Sequence, residues 1–441
     1  MAVHPRLDSR LRRVTLALAV LATAAALIGV NHRAQKGRNA ILKWNWAFEA
    51  VESGSPLYGT GPATPDRPTA EGYPTLPATL WILRPFHSMG PRIGPLAWAV
   101  CGAALAWWIT MSAMALAAGR VGAFPGLGQL LVVLIAGRIL YSELQHGNLN
   151  LLVAGTVVAG VTAWAGKRPL LSGFWFGTGA ILKVTPALAL LWLIRARSMK
   201  GLAGFLTGLL VWGLVIPGSW LGFERNLDLA GEWFSQMVAP YLSGRNLTSV
   251  QTEHINQSLL GVLARHLTDA VAIEARPPVH PTEVRIGWLA LTPEVLSWLH
   301  RATALGILGI LWHLMPRRGE YESRRDVLAR GALLALAMLF LSERSWKHHY
   351  VLLPLPLAYV SWLALIRRSK LSRAALAAAG LCLLGTGEGI LGKAGADMAE
   401  AVGAYFLGGL ALFVATGAGL RMERRDGSEP GDCPCENQGL S

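Results

Sequence analysis

The chain has 441 residues, of which 53% are hydrophobic and only 15% are charged, and its formal net charge is +14. Soluble proteins usually carry about a quarter charged residues, so this composition excludes an ordinary soluble enzyme. The basic residues stand in short clusters between apolar blocks, with no aromatic-basic platform or recognition helix, which argues against a nucleic-acid partner. The sequence therefore predicts an all-α polytopic membrane protein.

Apolar blocks of roughly 18–25 residues, long enough for the ~30 Å hydrocarbon core, define the predicted spans. We expect a retained first span at roughly 14–31, not a cleaved signal peptide. Nine further spans are expected at roughly 93–118, 126–143, 147–166, 201–222, 292–315, 328–342, 350–366, 371–391 and 399–420. Residues 14–420 then form one membrane domain of about ten transmembrane helices, between a cytoplasmic N-terminus (1–13) and a disordered cytoplasmic tail (421–441).

The block 170–194 has basic residues on both sides, GKRP before it and RARSMK after it. Because basic loops favour the inside, a re-entrant helical hairpin satisfies both flanks. We expect its break at Lys183-Val184-Thr185-Pro186, where Pro186 removes a backbone donor. Lys183 would be costly if it faced lipid at mid-membrane, so it is expected to face a cavity within the protein.

The basic clusters also set the expected orientation, a multi-pass protein of the plasma (cytoplasmic) membrane with both termini inside. The segments expected to face outward are 32–92, the Gln145–Asn148 turn, 223–291, 342–349 and 392–398. Single polar residues there are explained by snorkelling and interface anchoring. Taken together with Lys183, they indicate a basic, amide-rich cavity suited to an anionic lipid head group with polar cargo.

Five short segments, in family order over roughly residues 38–366, resemble segments of glycosyltransferase family 87. They are GSPLYG with the later GYPTLPATLWILRPF, GNLNLLVAGTVVAG, ILKVTPALALLWLIRAR, NQSLLGVLAR and SWKHHYVLLPLPL. The resemblance implies a GT-C type hexosyltransferase that takes a sugar, typically mannose, from polyprenyl phosphate on the outer face. The acceptor would be lipid-linked or a glycan, membrane lipids would surround the site, and transfer would invert the anomeric carbon. No cofactor and no metal are expected, because no D-x-D pair appears on the predicted outer face.

The resemblance also implies roles for individual residues. The donor phosphate is expected to contact Arg344, Lys347 and one of His348 or His349, with His349 placed in the catalytic group. Further substrate contacts are expected from the cation and amides of the other segments, namely Lys183, Asn148, Asn150, Asn256 and Gln257.

One position departs from the family pattern. The family places an aspartate early in the first outer loop as general base, and that position falls on or near Asn39, whose amide cannot accept a proton from an acceptor hydroxyl. Glu71 is the first candidate for the missing base, and Glu49, Asp66 and Glu343 are the next candidates.

Two other function classes stay open. A lipid or solute transporter would show paired broken helices in inverted repeats, whereas the sequence indicates one broken segment. A catalytically silent lipid-glycan binding protein would explain the asparagine at position 39.

Overall fold

A computed structural model describes residues 5–37, 39–58, 73–239, 252–320 and 322–426. These residues are arranged as helices, and among them the only strand-like pairings are two isolated bridges, Ile273–Val284 and Arg276–His280. The predicted all-α class is confirmed.

The α-helices are α1 Pro5–Gln35, α2 Ala40–Lys43, α3 Asn45–Ser53, α4 Ala78–Ser88, α5 Gly90–Ala118, α6 Gly126–His146, α7 Asn150–Ala165, α8 Pro169–Leu182, α9 Ala189–Arg195, α10 Met199–Leu210, α11 Ile216–Leu221, α12 Phe223–Trp233, α13 Leu259–Leu267, α14 Pro293–Leu314, α15 Arg324–Phe340, α16 Pro354–Leu365, α17 Lys370–Ala379, α18 Glu388–Val402 and α19 Ala404–Asp426. Short 3-10 segments (Thr185–Leu188, Lys347–Leu352) and π segments (Val211–Val215, Phe234–Val238, Gly380–Leu384) join or extend them.

Six helical stretches of the described chain have the length and hydropathy to cross a membrane. They are Pro5–Ser53, Gly90–Ala118, Gly126–His146, Met199–Leu221, Pro293–Leu314 and Ala404–Glu423. A seventh is obtained if Lys370–Leu384 and Glu388–Val402, which bend by 87° at their junction, form one broken span. Other predicted spans, such as Asn150–Ala165 and Pro354–Leu365, are apolar but shorter, so the total of about ten spans stays a prediction.

The predicted break in the block 170–194 occurs at Lys183. Helix α8 ends one residue earlier, and Lys183 itself is extended, with φ −157° and ψ 132°. Helices α8 and α10 run in the same direction, since Gly173 lies against Gly201 and, one turn later, Gly177 lies against Phe205. The contact is close, because neither Gly173 nor Gly177 has room for a Cβ atom. Since the two helices start side by side, the chain between them returns to the level at which α8 began. This is the geometry of a re-entrant hairpin.

The basic clusters gather at one end of the helix bundle. The guanidinium of Arg12 donates to the carbonyl of Gly122 (2.6 Å), and that of Arg324 donates to the carbonyl of Gly119 (2.9 Å). The indole of Trp164 donates to the carboxylate of Glu322 (2.8 Å). We call this the basic end; it comprises 5–13, 119–125, 165–169, 195–199, 315–320 and 322–324. The opposite, loop end comprises 39–58, 73–89, 143–150, 252–292, 342–349 and 385–402.

Segment 342–349 connects two buried helices and lies at the centre of the loop end. Helix α15 is buried continuously from Val327 to Phe340, and α16 is buried from Pro354 to Ala364. The connection between them, 342–349, therefore lies over the middle of the bundle.

The predicted outer turn at 392–398 is instead part of α18, which spans Glu388–Val402. At the other end of α19, residues 421–426 of the predicted tail are helical, and 427–441 lie outside the described residues.

Candidate functional site

Segment 342–349 is held in place by the buried side chain of Asn256 and by the backbone amide of Gln257. The Asn256 Oδ1 atom accepts from the backbone amide of Ser345 (3.0 Å), and its Nδ2 donates to the carbonyl of Glu343 (3.0 Å). The Gln257 amide donates to two backbone carbonyls and accepts from a backbone amide. Both side chains are 0% exposed. The Asn256 side chain and the Gln257 backbone amide, which donates to the Ser345 carbonyl (2.7 Å), position the segment. The substrate contact predicted for Asn256 and Gln257 stays a prediction.

The two histidines of the segment face different neighbours. The His348 ring stacks on the His146 ring of α6, with centroids 5.4 Å apart. The His349 ring stacks on Trp346, and its Nδ1 lies 3.0 Å from the carbonyl oxygen of Arg344. Burial lowers the pKa of both His348 and His349 well below the usual range, so both rings are neutral at pH 7. Each neutral ring has one N–H to donate and carries no charge.

Positive charge near the histidines comes from lysine and arginine side chains. Lys347 Nζ lies 3.6 Å from the carboxylate of Glu400, and the Lys347 side chain is 40% exposed. Arg344 is half-buried on the same segment. The segment therefore presents two cations beside two neutral imidazoles, a combination that can bind a phosphate.

A buried polar network lies at the end of α6. The Glu143 carboxylate, 1% exposed, accepts from the backbone amide and the side-chain amide of Asn150, each at 3.1 Å. The Asn148 side chain also lies close to this carboxylate. On the other side, Lys183 Nζ donates to Asn150 Oδ1 (3.4 Å). Asn150 thus bridges a buried acid and a cation from the helix break, and it brings together three of the predicted site residues.

Below segment 342–349 this network borders a small cavity. Asn150, Lys183, Ser345 and His349 contribute to its lining, and its volume is about 30 Å³. A water molecule needs about 10–15 Å³ of such volume, whereas ligand pockets usually measure about 300–1,000 Å³. The cavity therefore has room for water but not for a hexose. Lys183 lines it, so this residue faces a cavity within the protein, as the sequence predicted.

Asn39 lies directly against the turn that follows α6. Its side chain is 0% exposed, and its Oδ1 caps α2 by accepting from the backbone amide of Ile41 (3.1 Å). A Cβ placed on Gly147, where φ is +70°, would lie 2.7 Å from Asn39 Nδ2. The indole N–H of Trp98 also stabilises this turn by donating to the carbonyl of Gly147 (3.0 Å). The side chain at position 39 is thus packed onto the segment that carries Glu143, Asn148 and Asn150.

Of the four candidate bases, Glu49 and Glu343 lie among the described residues. Glu71 and Asp66 lie outside the described residues. Glu49 is exposed on α3, and Glu343 is half-buried on segment 342–349. Glu143 was not among the residues singled out from the sequence. The signal for it is a lone carboxylate within the apolar helix GQLLVVLIAGRILYSELQH, since ionisable residues within apolar spans usually have a functional role.

A second polar cluster joins 252–292 to α18. His254 Nε2 lies 3.7 Å and His280 Nε2 lies 3.0 Å from the carboxylate of Asp397. Burial lowers the pKa of His254 to about 4, although the Asp397 charge acts in the opposite direction. Within the described ranges, no group of three or more His, Cys, Asp or Glu side chains is arranged to hold a metal ion.

Comparison with known proteins identifies the family. The family description that matches residues 73–343, well over half of the chain, is "Glycosyltransferase family 87". A polyprenol-phosphate-mannose-dependent alpha-(1-2)-phosphatidylinositol mannoside mannosyltransferase from Mycolicibacterium smegmatis is 25% identical over 263 residues, which are 58% of this chain and 52% of that protein. The chain thus spans about half the length of this curated relative. The crystal structure of ArnT from Cupriavidus metallidurans bound to undecaprenyl phosphate aligns with 93% of this chain and 78% of that chain, at 17% identity and a TM-score of 0.42. Because this family match covers residues 73–343, more than half of the chain, the chain belongs to glycosyltransferase family 87.

Proposed function

We propose that this chain is a GT-C type membrane glycosyltransferase that moves a hexose, mannose, from polyprenyl phosphate to a lipid-linked or glycan acceptor. The reaction takes place at the loop end, on the outer face of the plasma membrane, with inversion at the anomeric carbon. Family membership supports the reaction class. The name of the mycobacterial relative, which specifies polyprenol-phosphate-mannose, supports the donor.

The observation that carries the proposal is the position of Lys183. This cation lies in the break of a re-entrant hairpin and reaches Asn150 beneath segment 342–349. A charged lysine buried inside a transmembrane bundle is costly unless it has a counter-charge or an anionic ligand. Glu143 is linked to Lys183 through Asn150, and we expect Lys183 to attract a phosphate bound over the segment as well.

In the proposed reaction, the phosphate of the donor is the leaving group. Arg344 and Lys347 offset its negative charge. His349 donates one hydrogen bond from Nε2, in the tautomer whose Nδ1 accepts from the backbone amide of Trp346 (3.2 Å). Such donors are more effective in a site that excludes water, because the local dielectric constant is low. Glu143 holds Asn150 in the orientation that supports Lys183. In this scheme the phosphate lies above the small cavity.

The acceptor hydroxyl must lose a proton, and Asn39 cannot take it. We propose Glu71 as the general base, with Glu49, Asp66 and Glu343 as the alternatives. General-base catalysis is typically worth about 10²–10⁴-fold. Glu71→Gln preserves size and polarity, so it should slow the chemical step by at least ~100-fold with donor binding nearly unchanged. Transfer at the normal rate by Glu71→Gln would exclude this residue as the base.

Lys183→Met tests the site. Purified Lys183→Met protein should elute as a folded species in detergent but bind polyprenyl-phosphate mannose ~10-fold or more weakly and transfer it correspondingly slowly, because a charge-assisted contact worth ~1.5–3 kcal/mol is lost. Lys393→Met is the matched control, since Lys393 is an exposed lysine of α18. Full activity of Lys183→Met would contradict the placement of the donor phosphate near Lys183.

A silent binding protein is the second candidate, and the buried amide at position 39 favours it. This reading predicts that the protein binds polyprenyl-phosphate mannose without turnover with any lipid acceptor. Measured turnover with one acceptor excludes it.

A further inference from the structure

A second cavity of the described chain lies away from the loop-end site. It is a groove of about 680 Å³ between α5, α7 and α8, and it is open on one side. On α7 it follows Leu152, Gly155 and Ala159, whereas the small cavity at the site contacts Asn150, Val153 and Ala154. At 100° per residue these two sets lie on opposite faces of the helix. The groove is therefore separate from the site of the proposed function.

The shape of the groove follows from its side chains. The small residues Gly155 and Ala159 of α7 form its floor, and the bulky side chains of Trp108 on α5 and Trp175 on α8 form its walls. From Leu152 to Gly166 the groove runs for about 21 Å along the α7 axis, at 1.5 Å per residue. One leaflet of a bilayer contributes only about 15 Å of hydrocarbon, half of the ~30 Å core. A lipid chain of one leaflet can therefore lie fully within the groove.

Charge marks one end of the groove. Arg168 is the only charged side chain among the described residues that line it, and it is exposed at the basic end. No carboxylate of the described chain is among the lining residues. Guanidinium groups bind phosphate oxygens in a bidentate manner, and basic pockets between transmembrane helices bind anionic lipid head groups. The groove thus combines a mostly apolar lining with a single guanidinium group at one end.

We propose that this groove binds an anionic phospholipid from the leaflet at the basic end, with one acyl chain along α7 and the phosphate against Arg168. The head group of this lipid lies at the end of the bundle opposite to the loop-end site. The bound lipid would fill the space between α5 and α8 and so stabilise the packing around the re-entrant hairpin. It would be a structural partner, distinct from the sugar donor.

The test measures lipid retained by the full-length protein in detergent. Protein is equilibrated with equal amounts of dioleoylphosphatidylglycerol and dioleoylphosphatidylcholine, passed over a gel-filtration column, and analysed for bound lipid by native mass spectrometry. Wild-type protein should retain phosphatidylglycerol in preference to phosphatidylcholine. Arg168→Gln should lower retained phosphatidylglycerol by ~10-fold, as expected for one charge-assisted contact, and abolish the preference.

Two further variants complete the test. Ala159→Phe fills the floor of the groove and should lower retention of both lipids, whichever head group they carry. Arg120→Gln removes another exposed arginine at the basic end, outside the groove lining, and should match the wild type. Wild-type retention by Arg168→Gln and Ala159→Phe would overturn the proposal. If Ala159→Phe instead leaves lipid retention intact and breaks a dimer into monomers, a second copy of the chain occupies the groove and the lipid proposal is wrong.

Discussion

The carboxylate of Glu143 is fixed by Asn150, which donates to it from both its backbone amide and its side-chain amide at 3.1 Å. The same asparagine accepts from Lys183 through its Oδ1 atom. A negative and a positive charge inside the bundle are therefore linked through one residue at the start of α7. Because an uncompensated charge at such a position is costly, each charge should depend on the other.

Glu143→Gln should therefore destabilise the protein. A glutamine amide cannot accept both hydrogen bonds from Asn150, and it leaves Lys183 without a counter-charge, a loss of about 1–3 kcal/mol. The melting temperature in detergent should fall, and the double variant Glu143→Gln/Lys183→Met should recover part of the loss. Glu388→Gln, at an exposed acid of α18, is the control and should not change the melting temperature. Purely additive effects in the double variant would show that the two charges are uncoupled.

Asn39→Asp should raise the rate of sugar transfer. Aspartate keeps an oxygen to cap the Ile41 amide and places a second oxygen where Nδ2 now faces Gly147. A gain of ~10-fold or more in kcat is expected if this position faces the acceptor hydroxyl, because general-base catalysis is typically worth more than that. Asn39→Ala, which loses the cap at a cost of about 1 kcal/mol, should show no gain. If Asn39→Asp folds but transfers no faster, the acceptor lies elsewhere.

The loop end should lose stability as the pH falls. The pKa of His254 is lowered by burial to about 4, while Asp397, Arg276, Arg265 and His280 supply the neighbouring charges. The unfolded chain takes up this proton near pH 6.5 and the folded chain only near pH 4, so stability decreases between these values. Melting temperatures measured from pH 7.5 to 4.5 should decline.

The His254→Gln variant should flatten that decline. His313→Gln, at an exposed histidine of α14 near the basic end, should leave it unchanged. A decline of equal steepness in His254→Gln would assign the pH dependence to other groups.

The basic end should face the cytoplasm. Single cysteines at Arg168 and Arg197, in a background with the native cysteines replaced, should resist an impermeant thiol reagent in intact cells and react once the membrane is opened. A cysteine at Lys393 of the loop end should react in intact cells. Labelling of position 168 or 197 from outside would contradict both the hairpin and the orientation.

Several features were accessible from the sequence because they follow from local physics. The break at Lys183 could be predicted since a proline and two basic flanks leave few other solutions for that block. The gathering of the basic clusters at one end follows from the same rule that orients transmembrane helices.

Other features depend on contacts that short motifs do not encode. The sequence identifies the amides of Asn256 and Gln257 but not their partners, and in the fold these partners are backbone groups. Glu143 was missed because its role depends on Asn150, seven residues later, and on a cation from another helix. Helix α18 was missed because its small residues are also typical of a turn. In the structure a separate helix begins after Gly387 and ends before Gly403, and it bends away from Lys370–Leu384.

The most direct measurement is a transfer assay with purified wild-type protein, radiolabelled polyprenyl-phosphate mannose and a panel of lipid-linked and phosphatidylinositol-based acceptors. The account predicts a mannosylated lipid product with inverted anomeric configuration, formed by the wild type and at least ~10-fold more slowly by Lys183→Met. Saturable donor binding without any product, across all acceptors, would contradict it.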